Sequence, residues 1–244
     1  MIMRSRAHEL LCFVERMSLE SVPQPIIAKA KACLLDALGC GTFGSQQAWA
    51  RIAADEMIAE GARGVATLLG RKEQVSAPAA ALCNGTAIHG FELDDLIAES
   101  IVHPAATVTP AALAAAEATN ASGTQLLAAI VAGYEVMHRV GVALGTEAAK
   151  RGFHTTSVVA PVSSAVAACI AMKLTHEELV SAVGLACSAS SGIKAFAAGR
   201  GGGMVKRMHA GRSAEAGVRM AQLAARGFMG PPLAIDGKFG LLDV

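Results

Sequence analysis

The run TTSVVAPVSSAVAACIAM, Thr155–Met172, crosses eighteen residues without a charge. It reaches the shortest length that can span a bilayer, about 18 residues. Yet it holds five hydroxyl side chains and a proline. In lipid every freed polar group has to find an internal partner. In a protein interior the neighbouring elements supply those partners, so the run is read as a buried core helix and no membrane association is expected. The fold has to be built around it.

The rest of the chain supplies the material. Apolar residues make up 53% and charged residues 17%, which is enough for a large core and excludes a disordered segment. Aromatics are only 4%, so the apolar mass is mainly Ala, Leu, Val and Met. Alanine is the best helix former. An all-α fold is expected, a single Ala-rich multi-helix domain over residues 1–244. The formal charge of +1 lacks any long basic run, so no nucleic-acid partner is expected. A mean hydropathy of +0.44 is high for a soluble monomer and predicts apolar surface covered by a partner. The first residues, MIMRSRAHELLCFVERM, have neither the apolar core nor the cleavage site of a secretory signal. Six cysteines form no CxxC pair, which removes the common iron–sulfur and zinc patterns and reads as buried free thiols in a reducing cytoplasm. Cys33 and Cys40 are seven apart, on one helix face.

Periodicity and punctuation predict helices over 7–17, from Pro25 through Cys40, over 46–60, over 77–88 behind Ser76, from Pro110 after a Thr109 cap, from Ser122 or Thr124 to a stop at Gly145, and over 158–172. Thr175 and Glu178 make a capping box for a helix over 177–189. A helix over 204–226 ends at Gly227. The segment 65–70 is strand or loop. The last stretch, PPLAIDGKFGLLDV, reads as extended and leaving the helical body.

Chemistry-bearing residues gather in three places. NGTAIHGFELDDLIAESIVHP holds His89, Glu92, Asp94, Asp95, Glu99 and His103. His89 and Glu92 share a face if the helix continues that far. RGFHTTSVVAPVSS places His154 just before a helix start, where backbone N–H groups favour an anion. GRGGGMVKRMHAGRS runs from glycines into Lys206, Arg207 and His209, with Lys206 and His209 on one face. Cations and N–H donors suit carboxylate recognition, and histidines with acids suit proton transfer. The glycine run matches neither GxGxxG nor GxxxxGK[ST], and no HExxH or GxSxG occurs. Asp94, Asp95 and Glu99 also invite comparison with the acidic magnesium motifs of isoprenoid synthases, but the spacing is DDxxxE and no second acidic motif follows.

In order along the chain, LLDALGCGTFG, NGTAIHGFELDD, HPAATVTPAALAAAE, GYEVMHRVGVALG, GFHTTSVVAPVSSAVAA, GLACSASSGIKAF, VKRMHAGRSAEAGVRMAQLAARGFMGP and DGKFG resemble the MmgE/PrpD family, which includes 2-methylcitrate dehydratase and cis-aconitate decarboxylase. The resemblance implies a lyase or isomerase of small di- and tricarboxylic acids that uses no metal or cofactor. It implies a helical domain followed by a smaller α/β lid domain, absent here, with the active site between them, and a homodimer. Carried over by motif, His103 and His154 are the proton-transfer candidates, with Glu92, Asp94 and Asp95 orienting them. Lys206 would bind a substrate carboxylate, together with Arg207, His209 and His89. Glu92 stands where the family usually has Asp, and Leu96 where dehydratase and decarboxylase members often have Thr. Without a lid the chain is expected to be weak or inactive alone. The alternative from another class is a non-catalytic helical dimerisation module.

Overall fold

The structure is a computed structural model that describes residues 5–198 and 203–243. In chain order it forms α1 (Arg6–Glu15), α2 (Gln24–Gly44), α3 (Ala48–Ala59), β1 (Arg63–Thr67), β2 (Gln74–Val75), α4 (Ala77–Ile88), α5 (Val108–Ala118), α6 (Gly123–Leu144), α7 (Glu147–Lys150), α8 (Thr155–Met172), α9 (His176–Cys187) and α10 (Gly203–Ala224). Among the described residues the fold is all-helical apart from one two-stranded antiparallel ribbon. Of the segment 65–70, expected as strand or loop, residues 65–67 form the end of β1 and the rest lies outside the strand. Thr67 ties the ribbon to α5 by giving its N–H and its hydroxyl to the two oxygens of Glu117, each at 2.7 Å.

The charge-free run is α8, and it is the centre of the molecule. It packs against α5, α6, α9 and α10. Both α6 and α8 are long and apolar enough to cross a membrane, but 94% of α8 is buried inside the fold. Its hydroxyls are used locally: Ser164 donates to the Thr107 carbonyl at 3.2 Å and Ser163 to that of Ala160 at 3.1 Å. Alanines and valines at every turn let the surrounding helices approach closely.

Local signals set several ends where they were expected. Ser122 caps α6 by accepting from the Gln125 N–H, and Thr175 and Glu178 close a reciprocal capping box on α9. Ser76 stands at the N-cap of α4 without a side-chain cap bond. Three expectations need correction. α5 begins at Val108 with Thr107 at the cap, so Thr109 and Pro110 lie inside its first turn. α8 begins at Thr155, a turn before Val158, because His154 is its cap. The last segment does not leave the body. Its Asp and Gly residues turn it back, so that Ile235 is buried and Asp236 accepts the Ala7 N–H at the start of α1, 3.0 Å away. All six thiols are free.

Candidate active site

α4 is buried along eleven of its twelve residues, and it ends abruptly. A tight turn, His89 to Phe91, follows it, and Glu92 then adopts the left-handed conformation at φ 56°. That costs a non-glycine residue roughly 1–2 kcal/mol. The helix does not continue, so His89 and Glu92 diverge. His89 turns inward, fully buried, and its Nδ1 meets Asp94 Oδ2 at 2.8 Å. Glu92 turns outward to α10, where Oε2 lies 2.9 Å from Lys206 Nζ and Oε1 3.1 Å from Arg207 Nη2.

The loop after Asp94 carries His103. Asp95 holds this loop: one carboxylate oxygen accepts the Ala105 N–H and the other the Tyr134 hydroxyl, each at 2.8 Å. Its carbonyl oxygen lies 2.9 Å from His103 Nδ1. A carbonyl only accepts, so Nδ1 carries the proton and Nε2 keeps the lone pair. The Asp94 carboxylate stands 3.5 Å from the same ring. The backbone N–H of His103 donates to the Thr156 hydroxyl at 3.3 Å, which joins the loop to the first turn of α8.

His154 caps that turn. Its N–H donates to the carbonyl of Gly192 at 2.8 Å. Gly192 sits at φ 105°, and a Cβ there would come within 2.5 Å of Ser157 Oγ and 3.4 Å of His209 Cε1. The close approach therefore needs glycine on both counts. His154 Nδ1 and His209 Nδ1 are 3.3 Å apart, so one ring donates and the other accepts. The His89 ring stacks beneath that of His154 at 6.1 Å between centroids, and tilts against that of His103 at 4.8 Å. Phe196 edges onto both His154 and His209. Four imidazoles from four separate stretches of chain thus form one cluster at the N-terminus of α8, with Lys206 beside it.

Burial is the first cause of how these groups titrate. It pushes the His154 imidazole down to about 3, with the charges of His89, His209, Lys206 and His103 adding to the effect. Burial also lowers His103 against the opposing pull of Asp94, and lowers His209 with help from His89. At neutral pH these three rings are neutral bases. Burial opposes ionisation of Glu92, but the hydrogen bond and charge of Lys206 outweigh it, Arg207 adds to them, and the carboxyl falls below its ordinary range.

The family profile described as the MmgE/PrpD N-terminal domain matches residues 8–244. The chain belongs to the MmgE/PrpD family. Among curated relatives, it is 32% identical over 240 residues to the cis-aconitate decarboxylase-like protein oryM of Aspergillus oryzae, a match covering 95% of this chain and 49% of that protein. It is 26% identical to the cis-aconitate decarboxylase of Aspergillus terreus, covering 95% and 48%, and 28% identical to that of Homo sapiens, covering 98% and 50%. The chain spans about half the length of these relatives.

Within this MmgE/PrpD chain the expected residues divide by what they touch. His103, His154 and His209 meet in the cluster, and Lys206 flanks it. His89 lies underneath at 0% exposure, where it reaches the other rings rather than solvent. Arg207 is spent on the Gly90 carbonyl, on Glu92 and on the face of Trp49, 4.9 Å from the ring centre. Glu99 pairs with His138 and stands apart from the cluster. Residues 199–202 of the glycine run lie outside the described residues. Thr156, Tyr134, Gly192 and Phe196 were not singled out from the sequence; only Thr156, next to His154 at a helix start, carried a local signal. The ligand atoms of His89, Asp94 and His103 lie within 4.8 Å of one another, a spacing that could also hold a metal ion.

Proposed function

We propose that the chain carries the proton-transfer apparatus of a lyase acting on a small di- or tricarboxylic acid, without a metal or organic cofactor. The observation that carries this reading is the cluster of three neutral histidines, His209 buried and His103 and His154 half-buried, beside Lys206 at the start of α8. A polycarboxylate entering there meets one ammonium group and the free N–H groups of a helix end. Its negative charge stabilises the protonated form of each nearby imidazole and raises its pKa. A ring that was a base becomes a proton carrier only when substrate is present.

That property fits decarboxylation. The C–C bond to the leaving carboxylate breaks, its electron pair stays on carbon as a carbanion or enolate, CO2 departs, and an imidazolium gives its proton to that carbon. His103, with its lone pair at Nε2, and His154 are the groups assigned to this exchange. The names of the relatives support decarboxylation of a cis-aconitate-like acid more than dehydration of 2-methylcitrate. The segments bearing the site also expose Phe91, Leu93, Leu96, Phe153, Ile193, Met204, Val205 and Met208. An apolar rim of this kind is suited to cover by further polypeptide or by a second protomer in a homodimer. The free thiols suit a reducing compartment such as the cytoplasm.

The test is turnover of cis-aconitate, followed as CO2 release, by the chain together with whatever polypeptide completes its cleft. Product should carry one solvent deuteron when the reaction runs in D2O, and a chelator should leave the rate unchanged within twofold. A rate abolished by chelation and restored by a divalent cation would replace this reading with a metal site at His89, Asp94 and His103. A chain that neither binds nor turns over any di- or tricarboxylate would leave the helical dimerisation module.

A further inference from the structure

Outside the histidine cluster, α1 and α9 bring together three side chains that the proposed reaction does not use. We propose that His8, Cys12 and His176 form a binding site for a thiophilic transition metal of the Zn2+ class, which clips α1 to α9. The motif on α1 is His-x3-Cys, an i,i+4 pair that shares one helix face. His8 Nε2 and Cys12 Sγ are 3.6 Å apart. A tetrahedral zinc ion with Zn–S of about 2.3 Å and Zn–N of about 2.05 Å separates its S and N ligands by about 3.6 Å. The pair already has the edge length that the metal requires.

His176 is the first residue of α9, and it reaches across to α1. Its ring stands edge-on to that of His8, with 5.2 Å between centroids. One ligand atom from each of the three residues falls within 4.8 Å of the others. His176 Nδ1 pairs with Glu15 Oε2 at 2.8 Å. A carboxylate on one ring nitrogen fixes the tautomer and orients the other nitrogen as a ligand, the arrangement that commonly backs a metal-bound histidine. The three side chains are half-buried, and His8 and Cys12 line an open cavity of about 260 Å3 with Glu9 and Arg16. That provides an entry path and room for a fourth, water ligand. One thiolate with two imidazoles selects Zn2+ or Co2+ over Mg2+ or Ca2+. Binding would reinforce the ties that the Glu15–His176 pair and the bond from Asp236 already make between α1 and the body.

Cobalt reports this site directly, because a Co2+–thiolate bond gives a near-ultraviolet charge-transfer band that a His/Asp site cannot produce. One equivalent of Co2+, added to the reduced, metal-stripped chain, is expected to give that band together with visible d–d absorption, and Zn2+ should displace it. Cys12→Ser should remove the band and weaken Zn2+ binding at least 100-fold. Glu15→Ala should weaken it about 10- to 100-fold. Zn2+ should raise the melting temperature of the unaltered chain and leave that of Cys12→Ser unchanged. Circular dichroism establishes that Cys12→Ser folds; if it does not, His176→Gln serves the same purpose with the thiol retained, keeping the thiolate band weak or absent. A Co2+ spectrum without a thiolate band would overturn the proposal, as would a band that survives Cys12→Ser or a Zn2+ affinity indifferent to both substitutions.

Discussion

His154→Ala is expected to lower kcat for decarboxylation by about 10²- to 10⁴-fold, the range supplied by a positioned general acid or base. On the proposed function the KM should change much less, because Lys206, the cation assigned to hold the acid, lies on α10. His154 is suited to this role by three contacts. Its main chain is fixed as the cap of α8 and by the carbonyl of Gly192, its Nδ1 shares a proton with His209, and the His89 ring supports it from below. Removing the imidazole also leaves His209 Nδ1 without its partner. The comparison variant is His138→Ala, on α6 and paired with Glu99 at 3.4 Å. It takes no part in the cluster and should alter kcat by less than twofold. Full turnover in His154→Ala would remove that residue from the chemistry and leave His103 as the sole carrier.

Gly211→Val is expected to unfold much of the molecule at moderate temperature. α4 and α10 cross backbone to backbone. A Cβ at Gly211 would run into the Leu82 carbonyl and the Thr86 hydroxyl, and one at Gly85 would come within 2.7 Å of Gly211 Cα. The Leu82 carbonyl and the Gly211 Cα are main chain in two rigid helices, and the Thr86 hydroxyl is tied to the Leu82 carbonyl at 2.8 Å, so none of them can give way cheaply. Overpacking of this kind costs about 3 kcal/mol or more. For a chain of this size each kcal/mol lowers the melting temperature by roughly 2–4 °C, so a fall of roughly 6–12 °C is expected by calorimetry. The site should suffer with the fold, since α10 carries Lys206 and His209 while α4 ends at His89. Gly39→Ala in α2 makes the contrast. A Cβ there meets nothing within 4 Å, so the exchange should be neutral or stabilising by up to about 1 kcal/mol. A melting temperature unmoved by Gly211→Val would mean that the two helices are not held at this spacing.

What the sequence disclosed was mainly local. The core helix α8 was legible because a charge-free run with hydroxyls can be satisfied only in a protein interior. The capping box of α9 was legible because both partners lie within four residues. His154 was legible as a residue standing just before a helix, although α8 starts a turn ahead of the expected Val158. The turn after α4 was not: whether a helix continues past His89 depends on Asp94 and α10 being present to receive His89 and Glu92. The pairing of Glu92 with Lys206 joins residues more than a hundred positions apart, and no periodicity encodes it. Asp95 shows the same limit in finer detail. Its carboxylate is spent on the loop and on Tyr134, and its carbonyl, common to every residue type, sets the tautomer of His103. The final segment was misread because an isolated stretch with two prolines and two glycines resembles a tail. The contacts that fold it back, Ile235 in the core and Asp236 at α1, are distant in sequence.

The central claim is that the imidazoles of His103, His154 and His209, with the Lys206 ammonium beside them, form one anion pocket whose histidines are neutral until it is filled. Imidazole 15N resonances, followed by NMR during a titration with the unreactive tricarboxylate tricarballylate, test it directly. Without ligand the His154 ring should remain neutral through pH 5, where a histidine in an unfolded chain is protonated. With ligand, these three rings should shift saturably together and His154 should gain a proton near neutral pH, while His8, His138 and His176 stay where they were. A His154 ring that is already protonated at pH 5 without ligand, or rings that fail to move together when tricarballylate is added, would contradict the account.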